Sequence, residues 1–216
     1  MEIKKYVSGD FLTNTYVITF NNKSLVIDPT LDLEDISLEI KSKYNVLGII
    51  ITHAHIDHID GIKYFKDTPI YISKEDYSHL NDLGYNLYGL YGLELPFNPS
   101  DIDFHLLNDN DTLNIIDTPI RALEVPGHTK GGLIYVFDKE NVAFTGDTLF
   151  KGSIGRTDFK GGSMDDILKS IIKILDNLND DMELYPGHGE KTYVGFEKEN
   201  NPYYVYAKKQ NMQEKS

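Results

Sequence analysis

Residues 52–61 read Thr-His-Ala-His-Ile-Asp-His-Ile-Asp-Gly, directly after the apolar run Val46-Leu-Gly-Ile-Ile-Ile51. Three of the seven histidines in this 216-residue chain fall in that stretch, beside two aspartates. The run before it is short and β-branched, the pattern of a buried strand. Metal-ligand side chains therefore follow a strand end. The same form recurs at Pro126-Gly-His128-Thr, Thr145-Gly-Asp147-Thr and Pro186-Gly-His188-Gly. Five of the seven histidines lie in these loops; only His79 and His105 lie elsewhere.

Spacing divides the first cluster. His53 and His55, at i and i+2, project to the same side of an extended segment. Asp57 and His58 come after the chain turns, at the start of a predicted helix. One loop cannot easily wrap all four around one ion. It suits two, with His53 and His55 on one, Asp57 and His58 on the other. His128 and His188 each offer a nitrogen to complete them, and Asp147 has two oxygens with which to bridge. Imidazole and carboxylate suit two divalent ions, zinc before iron or manganese. Each short motif alone says little; the four together, all in strand-then-loop settings, carry the reading.

Composition narrows the classes. The chain has no cysteine, which excludes disulfides, thiol nucleophiles and thiolate ligands. A net charge of −13 speaks against nucleic acid as a partner. The stretch from Met1 to Phe11 has no apolar leader core, and no apolar run approaches about eighteen residues. A cytoplasmic protein with no membrane contact is expected, its oligomeric state left open by the sequence.

Seven runs read as strands: TYVITF, KSLVIDP, NVLGIIIT, TPIYIS, IRALEVPG, LIYVFD and NVAFTGD. Hairpins are expected about Asn21-Asn22 and about Lys139-Glu140. Helices are expected over SMDDILKSIIKILDNL, with Ser163 as N-cap, over LEDISLEIKSK, and from DHIDGIKYF. Strand hairpins with interspersed helices and no linker suggest one α/β domain spanning 1–216. A polar tail from about 207 is expected to fray. The tyrosine-rich insertion, about 75–105, either packs its aromatics on the core or forms a lid or pocket wall, with Tyr88 and Tyr91 as pocket candidates.

The motif Thr52–His58 matches the THxHxDH signature, and the chain resembles the metallo-β-lactamase superfamily. It is most similar to the short glyoxalase II-like branch, through VIDP (26–29), GHTKGG (127–132), FTGDTLF (144–150), GSIGRTDF (152–159), PGHGEKT (186–192) and ENNPYY (199–204). The resemblance implies a four-layer αβ/βα sandwich, two mixed β-sheets flanked by helices, with the metal site at one sheet edge. It assigns His53, His55 and His128 to a first ion and Asp57, His58 and His188 to a second, with Asp147 bridging. It implies a buried structural role for Asp28, and a pair, Arg156 and Asp158, that supports the metal loop.

The activity implied is hydrolysis of a hydroxyacyl thioester of the S-lactoylglutathione type. Two ions about 3.5–4 Å apart hold a bridging hydroxide that attacks the carbonyl, with Asp57 orienting it. Full-length glyoxalase II has a C-terminal helical region that contacts glutathione, and no counterpart is expected here. Lys191 and Tyr193, with the tyrosine-rich insertion, are the candidates to line the pocket instead. The persulfide dioxygenase branch shares GRTDF and is the alternative: one iron on His53, His128 and Asp147, the other ligand types unused. A β-lactamase is disfavoured by the lack of cysteine, a nuclease by charge, and a non-catalytic binding protein by the complete ligand set.

Overall fold

Residues 1–30 and 34–213 are described here from a computed structural model. The first half of the chain runs β1 (Glu2–Ser8), β2 (Thr13–Phe20), β3 (Lys23–Ile27), α1 (Glu34–Lys43), β4 (Val46–Ile50), α2 (Ile56–Ile59), β5 (Ile70–Ser73), α3 (Lys74–Ser78) and β6 (Phe104–Leu107). The second half runs β7 (Thr112–Ile116), β8 (Thr118–Glu124), β9 (Leu133–Phe137), β10 (Val142–Gly146), β11 (Leu149–Phe150), β12 (Ser153–Ile154), α4 (Met164–Asn177), β13 (Glu183–Pro186), β14 (Thr192–Tyr193), α5 (Val194–Asn200) and α6 (Pro202–Gln213). The six strands of the first sheet follow sequence order, β1 to β6. They are antiparallel up to β3 and parallel from β3 to β6. The second sheet has the order β14-β13-β10-β9-β8-β7.

Period-two alternation explains the layering. Tyr16 and Ile18 of β2, Leu25 and Ile27 of β3, and Ile50 of β4 meet Ile120, Tyr135, Phe137 and Phe144 of the second sheet in one core. Their neighbours Val17, Val26 and Ile49 point the other way, into a core with Ile40 of α1 and Ile56 and Ile59 of α2. On the far side, Ile134, Val136 and Ala143 face Ile167, Ile171, Ile174 and Leu175 of α4. Three cores between helix, sheet, sheet and helix make the αβ/βα sandwich with two mixed β-sheets.

Local chemistry sets the boundaries. Asn21 and Asn22 take φ of 48° and 63° and close the β2–β3 hairpin, as a two-residue turn of the primed type requires. The Ser163 hydroxyl accepts from the Asp166 N–H and caps α4. Leu33, in the expected first helix, lies outside the described residues, and the helix itself begins at Glu34.

Three expectations change. β1, β6, β7 and β13 were not among the strands expected from the sequence. Their burial is broken: in β1 only half-buried residues alternate with exposed ones, so no apolar run marks it. The expected tail from about 207 instead continues α6 to Gln213, because Ala207 is buried and Lys208 pairs with Asp176 at 2.9 Å; residues 214–216 lie outside the described part. The tyrosine-rich insertion holds α3 and short 3-10 turns over Tyr88–Tyr91 and Pro99–Asp101. Among the described residues no helix is long and apolar enough to cross a membrane.

Candidate metal centre

Strand direction gathers the site. β9 is antiparallel to both β8 and β10, and β10 is parallel to β13. β8, β10 and β13 therefore end at the same edge of the second sheet, and there the chain carries His128, Asp147 and His188. The first sheet brings the end of β4 to the same place, where the Leu133 N–H donates to the Thr52 carbonyl at 2.8 Å. His53 and His55 extend from that strand, and α2 then turns Asp57 and His58 inward.

Seven side chains converge. His53, His55 and His128 offer ligand atoms within 4.8 Å of one another; so do His53, His58 and Asp147, and so do Asp57, His58 and His188. The two halves abut, with the rings of His53 and His58 4.1 Å apart. His188 Nε2 lies 3.2 Å from Asp147 and 3.3 Å from Asp57, and His128 Nε2 lies 3.7 Å from Asp147. Gly187 makes room for this approach: a Cβ there would lie 2.2 Å from Asp147 Oδ1 and 2.7 Å from His58 Cε1.

The hydrogen bonds behind the rings fix which nitrogen faces inward. His58 Nδ1 donates to Asp28 Oδ2 at 2.9 Å, His128 Nδ1 to the Arg156 carbonyl at 2.7 Å, and His188 Nδ1 to the Phe11 carbonyl at 3.0 Å. Thr52 Oγ1 donates to Asp28 Oδ2 at 2.6 Å, so it accepts from His53 Nδ1 at 3.1 Å. With the outer nitrogen occupied, Nε2 of His53, His58, His128 and His188 is the atom left facing the cluster. The Nε2 atoms of His53, His55, His58 and His128, and Oδ1 of Asp147, are buried without a hydrogen-bond partner. Buried polar atoms are ordinarily satisfied, and five unsatisfied ligand-type atoms converging on one place fit a bound cation.

Charge separates the two halves. Burial, then the neighbouring imidazoles, holds His53 and His55 well below the usual histidine range. Burial opposes charge on His58 as well, but Asp57, Asp147 and Asp28 carry it well above that range. His188 is pushed up to about 10: burial opposes it, and Asp147 and Asp57 outweigh the burial. Burial raises Asp57, yet His58 and His188 bring it down to about 2. Asp147 is held well below the usual range, His58 and His188 again overcoming burial.

The other expected residues divide. Asp28 is 2% exposed, and its carboxylate accepts from Thr52 N and Oγ1 and from His58. It sits at a φ of 50°, a region that Asp enters more readily than most residues. Arg156 and Asp158 form a bidentate pair at 2.7 and 2.6 Å with both side chains exposed; the support that reaches the metal loop comes from the Arg156 carbonyl. Tyr91 lines a cavity of about 460 Å³ over the ligands, together with Phe11, Ile56, Phe150 and Phe159, and its ring meets Phe11 edge to face at 5.6 Å.

Three pocket assignments are corrected. Tyr88 is 1% exposed and belongs to the helix-covered core, where its hydroxyl donates to Asp60 at 3.0 Å. Lys191 and Tyr193 both point to Glu183, at 2.9 and 3.1 Å, and Tyr193 lines a different groove. The Glu183 carboxylate draws both away from the ligands. The sequence reading also missed Thr13, whose hydroxyl donates to Asp57 Oδ2 at 2.7 Å, and Phe11. Neither carries a motif: Phe11 lies in the β1–β2 turn and Thr13 opens β2, both far in sequence from the side chains they contact. His79 and His105 stack on Tyr85 and Tyr71, away from the ligands.

Fold and ligand set together define a class, and comparison with known proteins agrees. The family model of the metallo-beta-lactamase superfamily matches residues 8–188. The chain is 33% identical over 208 residues to Probable metallo-hydrolase YqgX of Bacillus subtilis, covering 94% of this chain and 97% of the relative. It is 32% identical over 187 residues to Hydroxyacylglutathione hydrolase GloC of Haemophilus influenzae, covering 82% and 85%. The crystal structure of BLEG-1 B3 metallo-beta-lactamase superposes with a TM-score of 0.86 at 32% identity, covering 94% of this chain and all 100% of that one. The chain belongs to the metallo-β-lactamase superfamily. Its clustered His and Asp side chains suit divalent metal ions.

Proposed function

We propose that this protein hydrolyses a hydroxyacyl thioester of the S-lactoylglutathione type, using two divalent ions, zinc foremost. One observation carries the reading: two complete ligand groups adjoin at the floor of an apolar-walled cavity. His53, His55 and His128 would hold the first ion, Asp57, His58 and His188 the second, with Asp147 between. When bound, such ions polarise a carbonyl and lower the pKa of water towards neutrality. A single-iron dioxygenase on His53, His128 and Asp147 would leave the buried Nε2 atoms of His55 and His58 with no partner.

The chain's own groups do the rest. The Asp57 carboxylate lines the cavity and is held there by the Thr13 hydroxyl. Ionised at neutral pH, it accepts from a water O–H at the floor and so orients it. Phe11, Ile56, Tyr91, Phe150 and Phe159 exclude bulk solvent and offer apolar surface to the acyl group and its carrier. A thiolate leaves readily, so no buried acid is needed to protonate the departing group. The likeness to Hydroxyacylglutathione hydrolase GloC supports the thioester class.

The test is one preparation with its metal content measured, then assayed on three substrates. Two ions per chain with S-lactoylglutathione hydrolysis are expected. One iron with persulfide-dependent oxygen uptake assigns the dioxygenase instead. Turnover of β-lactams above that of any thioester overturns the reading in favour of a lactamase, the chemistry in the name of BLEG-1.

A further inference from the structure

Asp76 belongs to no motif, yet it is 0% exposed and sits behind the first ligand group. Ser73 caps α3 by accepting from the Asp76 N–H at 3.0 Å. The side chain does something else. Asp76 Oδ2 accepts from the Ala54 N–H at 2.9 Å and from the Thr129 hydroxyl at 3.0 Å. Asp76 Oδ1 accepts from the Gly131 N–H at 2.8 Å and from the Tyr85 hydroxyl at 2.6 Å. Ala54 lies between His53 and His55, and Thr129 follows His128. One carboxylate thus ties together the two loops that carry the first three imidazoles.

All four partners donate, so the group acts as the ionised carboxylate, with both oxygens saturated. Burial pushes the carboxyl up, and the four donors pull against it. The cradle is tight. A Cβ on Gly131 would lie 2.3 Å from Ser73 Oγ and 2.6 Å from Asp76 Oδ1, so only glycine brings its N–H this close. The Tyr85 hydroxyl, besides donating to Asp76, accepts from the Lys130 N–H at 2.9 Å, which fixes the loop after His128 a second time. No comparable bond from Asp76 reaches Asp57, His58 or His188 among the described residues; those are oriented by Thr13, Asp28 and the Phe11 carbonyl.

We propose that Asp76 is a positioning residue for the first metal site alone: it sets the spacing of His53, His55 and His128, and so the affinity of the first ion but not of the second. The inference rests on the proposed division of ligands between two ions. It does not depend on which substrate is hydrolysed.

Single-site backgrounds test it. His188→Ala leaves the first group intact, and His55→Ala leaves the second. Metal-loaded protein of each background, with and without Asp76→Asn, is titrated with a chromogenic chelator, using zinc as the metal. The asparagine amide must turn an N–H₂ towards two of the four donors, so one oxygen's worth of contacts is lost. In the His188→Ala background, Asp76→Asn is expected to weaken zinc about 10- to 100-fold, the range for groups that orient metal ligands. In the His55→Ala background it is expected to change nothing. Tyr85→Phe, which removes one donor and keeps the packing, is expected to show the same selectivity with a smaller shift. It serves if Asp76→Asn does not fold. An equal loss in both backgrounds would mark a general structural role and overturn the proposal; so would no loss in either. If His188→Ala and His55→Ala each still hold two ions, the division of ligands itself falls, and the inference with it.

Discussion

The two halves of the metal centre are built from different chemistry although they share one wall. The first half is three imidazoles, of which burial keeps His53 and His55 neutral. The second is Asp57, His58 and His188, where both imidazoles are held charged by carboxylates. In the second half Asp57 and Asp147 favour the charged imidazoles of His58 and His188 where a cation would otherwise sit. The first half has no such substitute, only lone pairs without partners. With two ions as proposed, a metal would enter the first half without displacing protons from His53 or His55, and the second in exchange for them. Similar ligand counts thus give sites with different couplings to pH.

Asp147 is where the comparison breaks most completely, because it faces both halves, 3.4 Å from His58 and 3.7 Å from His128. Asp147→Ala is expected to lose both ions and to cut turnover by about 10³-fold or more. Metal analysis alongside an S-lactoylglutathione assay checks this. Full metal content with undiminished turnover would rule out two ions sharing this carboxylate.

Asp28 couples the halves from behind. It accepts from Thr52, which in turn accepts from His53, and directly from His58. Asp28→Ala strands these donors in the interior, and stability is expected to fall by about 3–5 kcal/mol, the range for breaking a buried charged pair. Urea unfolding of metal-free protein is the measurement. A loss under about 1 kcal/mol, in the range of a single ordinary hydrogen bond, would mean that water replaces the carboxylate and that the halves are independent.

How much of this was legible in the sequence follows the same line. Ligand types and their spacing were visible, because His53, His55, Asp57 and His58 are close along the chain and the other ligands all follow strand ends with glycine beside them. The layers were visible wherever strands are buried on both faces, as in β9, which is buried throughout. Edge strands such as β1, half exposed, gave no run to read. Tyr88 and Tyr91 show the limit most plainly. Three residues apart and identical in type, one is core and the other cavity wall. Tyr88 opens a 3-10 turn and bonds to Asp60, while Tyr91 ends it against Phe11, and nothing in the sequence separates the two. The groups that orient the ligands were hidden for a related reason. Thr13, Asp76 and the Phe11 carbonyl reach the site across 44, 22 and 177 positions of sequence.

The pH dependence sharpens the comparison further. His188, with a pKa of about 10 before metal enters, must lose its proton to bind, and so must His58. From near neutrality up to about pH 10, affinity of the second ion is expected to rise with pH, about tenfold per unit for each proton displaced. Asp57, already ionised above about pH 2, adds no slope there. His53 and His55, neutral throughout, should leave the first ion's affinity nearly flat. Calorimetry in buffers of differing ionisation enthalpy, on the His55→Ala and His188→Ala proteins, reads the protons directly. Equal proton release from both would erase the distinction between the halves.

The smallest expected effect isolates the second half alone. Thr13 is fully buried at the start of β2, and its hydroxyl donates to Asp57 Oδ2 at 2.7 Å. That oxygen is also 3.3 Å from His188 Nε2, so the hydroxyl decides which way the carboxylate lies beside its partner. Thr13→Val keeps the shape and removes only the donor. The second ion is expected to bind about tenfold more weakly, as when a ligand loses the group that orients it, while the first ion, whose loops are tied to Asp76, is unaffected. Chelator competition in the two single-site backgrounds separates these outcomes. Should the first ion weaken as much as the second, the β1–β2 turn would be acting on the whole sheet edge, and the two halves would have to be treated as one unit.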